Sequence, residues 1–305
     1  MKIRTVLGDI ASSTLGRTTS HEHLLWNVPE PYSGEDSDLG FDSVPAALVE
    51  LRYFKEAGGD ALVEMTTAEI GRSPFELRQL SESAEVHVIA TTGHHKDKFS
   101  ATFLDGKSVK EIASSIIADI TEGMNGTDIK AGVIKAATSE NKATTMERCV
   151  IEAVGLAHQA TRAPVSTHTE AGTFAFEQAQ LLIQAGVPAE RMLIGHLDRN
   201  LLRETYFAMA NLGVYLGFDQ IGKAKYWADS ERVTVIKELI SAGFVQQIML
   251  SGDTARKSSW HSYNPRVNGI AHLLLDFIPL LKVAGVSDGD LYTMLVENPA
   301  KFLAF

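Results

Sequence analysis

Cys149 is the only cysteine in this 305-residue chain, so no internal disulfide can form and no cysteine cage can hold a metal. Its helix-like setting, MERCVIEAVGLAHQ, reads as a packed apolar thiol rather than a nucleophile. Long apolar runs are missing too. No window approaches the roughly 18 to 20 residues of a membrane span, and the opening MKIRTVLGDI lacks the apolar stretch of a signal peptide. The expectation is a cytoplasmic protein without a membrane partner. Positive charge is in deficit: 28 Lys plus Arg stand against 38 Asp plus Glu, a formal net charge of -10, which argues against nucleic acid as a partner. An anionic ligand must therefore be met by a few local cations. Low-complexity linkers are also absent, and residues 1–305 read as a single domain.

What the chain does have is alternation. Short β-rich runs, each followed by a segment of helical pattern, occur at 16–25, 60–67, 86–93, 131–138, 164–170, 192–197, 213–219 and 247–253. Helices are expected near 44–57, 74–84, 107–122, 141–160, 173–185, 200–210, 229–242 and 268–284, with Ser43 and Ser73 as caps ahead of a first-turn proline. Eight such units predict a (β/α)8 TIM barrel, with MKIRTVLGDIASSTLGR as an N-terminal hairpin and SDGDLYTMLVENPAKFLAF as a C-terminal helical cap. The competing doubly wound sheet would need a Gly-rich phosphate fingerprint after the first strand, and none is there. The polar loop from Val28 to Asp42 is then expected on the C-terminal face, where barrel active sites lie.

Polar residues gather at the predicted strand ends. SHEH ends the first run, placing His21 and His23 on one face and turning Glu22 to the other. Lys135 lies in the fourth run, His168 in the fifth, His196 in the sixth, and Asp253 ends the eighth. A lone strand-end histidine is usually a hydrogen-bonded rim residue. Four of them converging with an aspartate are the donors that divalent cations take from a protein. HEHLLW is not the helical zinc motif, which needs a histidine where Leu25 stands, so the site must be assembled from strands. Lys135 is out of place, because burial and metal charge both oppose its ammonium. Two chemistries resolve that conflict: a Schiff-base lysine, as in barrel aldolases, or carboxylation by CO2 to give a bridging carboxylate. The histidine quartet favours the second. An aldolase has no use for it, whereas a binuclear centre needs four imidazoles, one bridge and one terminal carboxylate.

Taken together, SHEH, GVIKAAT, VSTHTEAG, IGHLDRN and LSGDTAR closely resemble the phosphotriesterase-related branch of the amidohydrolase superfamily, in order and across nearly the whole chain. The resemblance implies that His21, His23 and Asp253 hold the more buried of two divalent metals and that His168 and His196 hold the exposed one. Carboxylated Lys135 and a bridging hydroxide would join them. Zinc is the metal expected, though Mn, Co or Fe suit the same donors. Hydroxide attack on an ester-like bond would follow, with Asp253 shuttling the proton to the leaving group. A homodimer is suggested by the resemblance alone.

The substrate has to be read from the loops. Arg256 follows Asp253 by three residues, and Lys223 and Lys225 follow the seventh run. Each alone reads equally well as a loop cation paired with a nearby acid. Together they suggest an anionic substrate. The arrangement resembles the family's lactonases for phosphorylated sugar lactones, which implies phosphate contacts from Lys225 and Arg256, with Lys223 as a substitute. A phosphotriesterase or carboxylesterase on the same metals is the alternative, with Tyr226, Trp227 and Trp260 available as an apolar wall. From another class, a metal-binding or regulatory protein with a dead site is disfavoured by the complete ligand set. His94 and His95 stand where homoserine-lactone-cleaving relatives carry a tyrosine, which argues against a long acyl substrate. Asp198 is expected either to help position a ligand histidine or the hydroxide, or to cap the helix near Asn200.

Overall fold

The β-rich runs pair side by side, all parallel, in an eight-stranded sheet that curls until its first and last strands meet. The computed structural model describes residues 1–305. An antiparallel hairpin, β1 (Lys2–Thr5) and β2 (Gly8–Ala11), precedes the barrel. Its strands are β3 (Thr18–Glu22), β4 (Ala61–Glu64), β5 (His87–Gly93), β6 (Val133–Thr138), β7 (Val165–Thr169), β8 (Met192–Ile194), β9 (Tyr215–Phe218) and β10 (Ile248–Leu250). Between β10 and β3 the seam closes through the loop after β10. Ser251 Oγ accepts from the His21 amide at 3.0 Å, and the Asp253 amide donates to the His21 carbonyl at 3.1 Å.

Helices cover the outside: α1 (Val44–Glu56), α2 (Pro74–Ala84), α3 (Asp97–Leu104), α4 (Val109–Thr121), α5 (Thr145–Thr161), α6 (Ala175–Gln184), α7 (Arg203–Leu212) and α8 (Asp229–Ser241). After them come α9 (Ile278–Val283), α10 (Asp288–Tyr292) and α11 (Asn298–Leu303). Each expected helix is present within a few residues, but α3 was not expected; it opens at Lys96, which provides no side-chain cap. Ser43 caps α1 by accepting from the Ala46 amide at 3.3 Å. Ser73 corrects the second cap expectation, since it precedes α2 without any side-chain cap bond. The segment expected at 268–284 opens with a 3-10 turn, Gly269–Ala271, followed by a wide π turn, Leu273–Phe277, and a second π turn, Thr293–Glu297, precedes α11. Each lies just ahead of a proline, Pro279 or Pro299, whose missing N–H breaks the regular bonding pattern. No helix is long and apolar enough to cross a membrane.

The strand period of two sorts the buried residues into two cores. One lies between the sheet and the helices, and the other fills the barrel floor with Val63, Ile89, Val133, Leu193, Tyr215 and Met249. Ile3 of the hairpin and Phe302 of α11 join the inner cluster, so both chain ends seal the floor. Directly above it, two residues past Val133 on the same inward row, stands Lys135. The site begins where the apolar filling stops.

Candidate metal centre

His21 and His23 leave β3 at the seam, and Asp253 arrives there from the loop after β10. One ligand atom from each lies within 4.8 Å of the others. His23 Nε2 is 3.6 Å from Asp253 Oδ1. His196 joins from the end of β8, its ring centroid 4.8 Å from that of His21, and His168 from β7 lies 4.4 Å from His196. Lys135 is fully buried among them and donates from Nζ to the Met65 carbonyl at 2.9 Å. Of the six residues expected as ligands, the structure gathers all six at the C-terminal mouth.

Two of the six sit on strained backbone. His196 and Asp253 adopt φ of 60° and 44°, the left-handed region that side chains other than glycine seldom occupy. Beside Lys135, Gly93 has φ 84°, and a Cβ there would approach the Lys135 carbonyl oxygen to 2.2 Å. Only glycine lets β5 come this close to the lysine.

Three of the four imidazoles are fixed by a partner on one nitrogen, which frees the other. Thr66 Oγ1 gives its single proton to Glu64 Oε1 at 2.5 Å and must therefore accept from His23 Nδ1 at 2.7 Å, leaving Nε2 unprotonated. His196 Nδ1 donates to Asp219 Oδ1 at 2.7 Å, because a carboxylate only accepts, so its Nε2 carries the lone pair. His168 Nε2 donates to Glu170 Oε2 at 3.1 Å, which leaves Nδ1 free. His21 differs: both of its ring nitrogens are buried without a hydrogen-bond partner. Orphaned imidazole nitrogens are costly inside a protein, and a cation is the partner that unprotonated imidazoles gathered with a carboxylate suit. The donor set fits divalent metal.

Electrostatics favour the neutral imidazole at His21, His23 and His168. Burial depresses the pKa of His21, His23 and His168, and at each of these histidines neighbouring positive charge deepens the shift. Burial also lowers the Lys135 ammonium to about 8, against the pull of Asp253, Glu69, Glu64 and Asp219. Asp253 is held well below the carboxylate range: burial opposes this, but the Lys223 ammonium leads the charges that outweigh it.

Carboxylates outside the expected ligand set hold these parts in place. Glu22, turned away from the ligands as expected, accepts from the amides of Gly252 and Thr254 at 2.9 and 2.8 Å and from the Thr254 hydroxyl at 2.6 Å, anchoring the loop that carries Asp253. Asp219 supports His196 and with His21 and His196 forms a second cluster close enough for a cation. Its position at the end of the seventh predicted run was the available signal. Asp198 does not cap α7, whose N-cap is Leu202; it accepts from Arg232 Nε at 2.7 Å and from the Asp219 and Gln220 amides, shaping the turn after β9. Glu69 accepts from His94 Nδ1 and the His95 amide, and the His95 ring lies 4.6 Å from His168.

The expected rim cations line one cavity of about 400 Å³: Lys223, Lys225 and Arg256 all face it. Lys223 Nζ reaches Asp253 Oδ2 at 2.7 Å and Gln220 Oε1 at 2.9 Å, so this wall of the cavity touches the ligand cluster. Arg256 pairs with Asp36 at 2.8 Å and Asp38 at 3.3 Å through Nη1 alone. Lys225 is exposed and lies over the Tyr226 ring. Trp260 corrects the expectation of an aromatic wall, since it is fully buried against Phe41. Cys149 is half-buried on α5, away from these residues.

The phosphotriesterase family model matches residues 1–303. The chain is 34% identical over 288 residues to the phosphotriesterase homology protein of Escherichia coli (strain K12), covering 94% of this chain and 97% of that protein. It is 33% identical over 323 residues to the phospho-furanose lactonase of Mycoplasmopsis synoviae (strain 53), covering 99% of this chain and 91% of that protein. A lactonase structure from Listeria monocytogenes matches with a TM-score of 0.95 at 31% identity, covering 100% of this chain and 99% of that one.

Proposed function

We propose, from the premise that this chain belongs to the phosphotriesterase family and is a hydrolase, that it opens a sugar lactone carrying a phosphate. The observation that carries this reading is the cavity in which Lys223, Lys225 and Arg256 converge beside Asp253, on a chain that is otherwise acidic. Similarity to a phospho-furanose lactonase supports it. His21, His23 and Asp253 would hold one divalent cation, His168 and His196 a second, and carboxylated Lys135 would join the two, all within a single domain. Zinc suits these donors. When bound, the pair supplies hydroxide from water at neutral pH and polarises a carbonyl oxygen.

The chain's own residues do the rest. Asp253 turns Oδ1 toward His23, while Lys223 and the Gln220 side-chain amide hold Oδ2. So oriented, the carboxylate takes the proton released as the lactone carbonyl is attacked and delivers it to the leaving ring oxygen. Arg256 keeps Nε and Nη2 for the substrate phosphate, because both of its acid contacts use Nη1. Lys225, lining the same cavity, adds a second charge.

The test is kcat/KM on metal-loaded protein for matched sugar γ-lactones with and without a terminal phosphate, followed by proton release. A preference of about 100-fold for the phosphorylated lactone, roughly 2.7 kcal/mol of transition-state binding, is expected. Arg256→Met should erase most of it while leaving the unphosphorylated lactone unaffected. Equal rates on both lactones would remove the phosphate site and turn the search to neutral lactones and esters.

A further inference from the structure

We propose that Glu170, clamped between Lys96 and Arg199, is a positioning residue that sets the His168 ring for its ligand role. This rests on the binuclear reading above. Glu170 follows His168 by two residues, just past the end of β7, and accepts from His168 Nε2 at 3.1 Å through Oε2. Lys96, from the loop after β5, donates to the same Oε2, and Arg199 Nη1, from beyond β8, donates to Oε1 at 2.9 Å. Three strand ends are thereby tied to one carboxylate.

The clamp has a directional consequence. Because both carboxylate oxygens are held by cations, Glu170 cannot rotate without breaking ion pairs, and the Nε2–H of His168 has a fixed target. The ring's remaining freedom is a flip or a swing about its side-chain bonds, and either one loses this bond. From behind, Gln178 Nε2 donates to the His168 carbonyl at 2.9 Å, fixing the backbone as well. The turn itself is shaped for the purpose: Ala171 and Gly172 have φ of 55° and 68°, and a Cβ on Gly172 would meet the His196 carbonyl oxygen at 2.9 Å. Partners that orient a ligand histidine in this way typically change metal affinity by about 10- to 100-fold.

Two measurements on the full chain test the inference. Calorimetric titration of metal-free protein with Zn2+ should give two binding events. In Glu170→Ala the weaker should lose about 10- to 100-fold in affinity while the tighter changes by less than about threefold. Arg199→Met, which leaves the His168 contact in place, should give a smaller loss at the same event. Proton NMR of the metal-free protein should show a slowly exchanging His168 Nε2–H signal that persists in Arg199→Met and disappears in Glu170→Ala. Unchanged zinc affinities in Glu170→Ala, or equal weakening of both events, would overturn the proposal, as would an unchanged Nε2–H signal. A wild-type protein that binds no zinc, or only one ion, would instead overturn the binuclear reading, with the NMR signal still deciding the place of Glu170.

Discussion

His21, His23 and Asp253 come from opposite ends of the chain and meet where the barrel closes, whereas His168 and His196 leave the neighbouring strands β7 and β8. The supports differ as much as the origins. At the seam, Glu22 binds backbone amides of the loop that carries Asp253, and Glu64 binds the amides of Leu24 and Thr66, so this half is fixed through main chain. In the other half, Asp219 also accepts from the His196 amide, but His168 depends on Glu170, itself held by side-chain cations that are partly exposed. Backbone-anchored carboxylates cannot drift; side-chain clusters can be loosened by one substitution. The two halves should therefore differ in how tightly they hold a cation and in how they fail.

Removing a ligand from each half gives the largest expected effects. Asp253→Asn should lower kcat by about 10³-fold or more, since it takes away both a donor and the proton carrier, and should release the tighter of two zinc ions. His168→Ala should cut turnover by about 10²-fold or more while releasing only the weaker ion. Metal content and kcat measured on the same preparations check both. Loss of the same ion from both variants would erase the distinction between the halves.

Lys135 belongs to neither half, and its charge gives a smaller effect with a definite sign. Burial lowers its folded-state pKa to about 8 from 10.5, so between those values the unfolded chain binds more protons than the native one. Stability of the metal-free protein should accordingly rise with pH across 8 to 10.5, by at most roughly 3 kcal/mol. Lys135→Met should abolish this rise. Denaturant unfolding of both proteins across that range is the check, and parallel pH profiles would show that the ammonium is not strained by its surroundings.

The comparison also explains what could be read from sequence. Strand-end ligands are legible because a strand points alternate residues the same way, so His21 and His23 declare a shared face and Lys135 declares the row above Val133. Their supports are harder to read: Glu22, Glu64 and Glu170 take partners from strands that only the closed barrel brings together, and Asp219 shows only as the last residue of the seventh run. Glu22 was visible between the two histidines, but its partners Gly252 and Thr254 lie at the far end of the chain. Trp260 failed for a related reason, since its loop neighbours suggested the rim whereas Phe41 draws it into the core. Helix α3 escaped notice because its eight residues open without a capping side chain.

The most direct test of the two-ion centre follows turnover of the phosphorylated γ-lactone while Zn2+ is added to metal-free, bicarbonate-equilibrated protein, with bound zinc measured at each step. Turnover should stay low until the second ion binds and level off at two ions per chain. Full activity at one ion, or in protein stripped of metal, would contradict the binuclear reading.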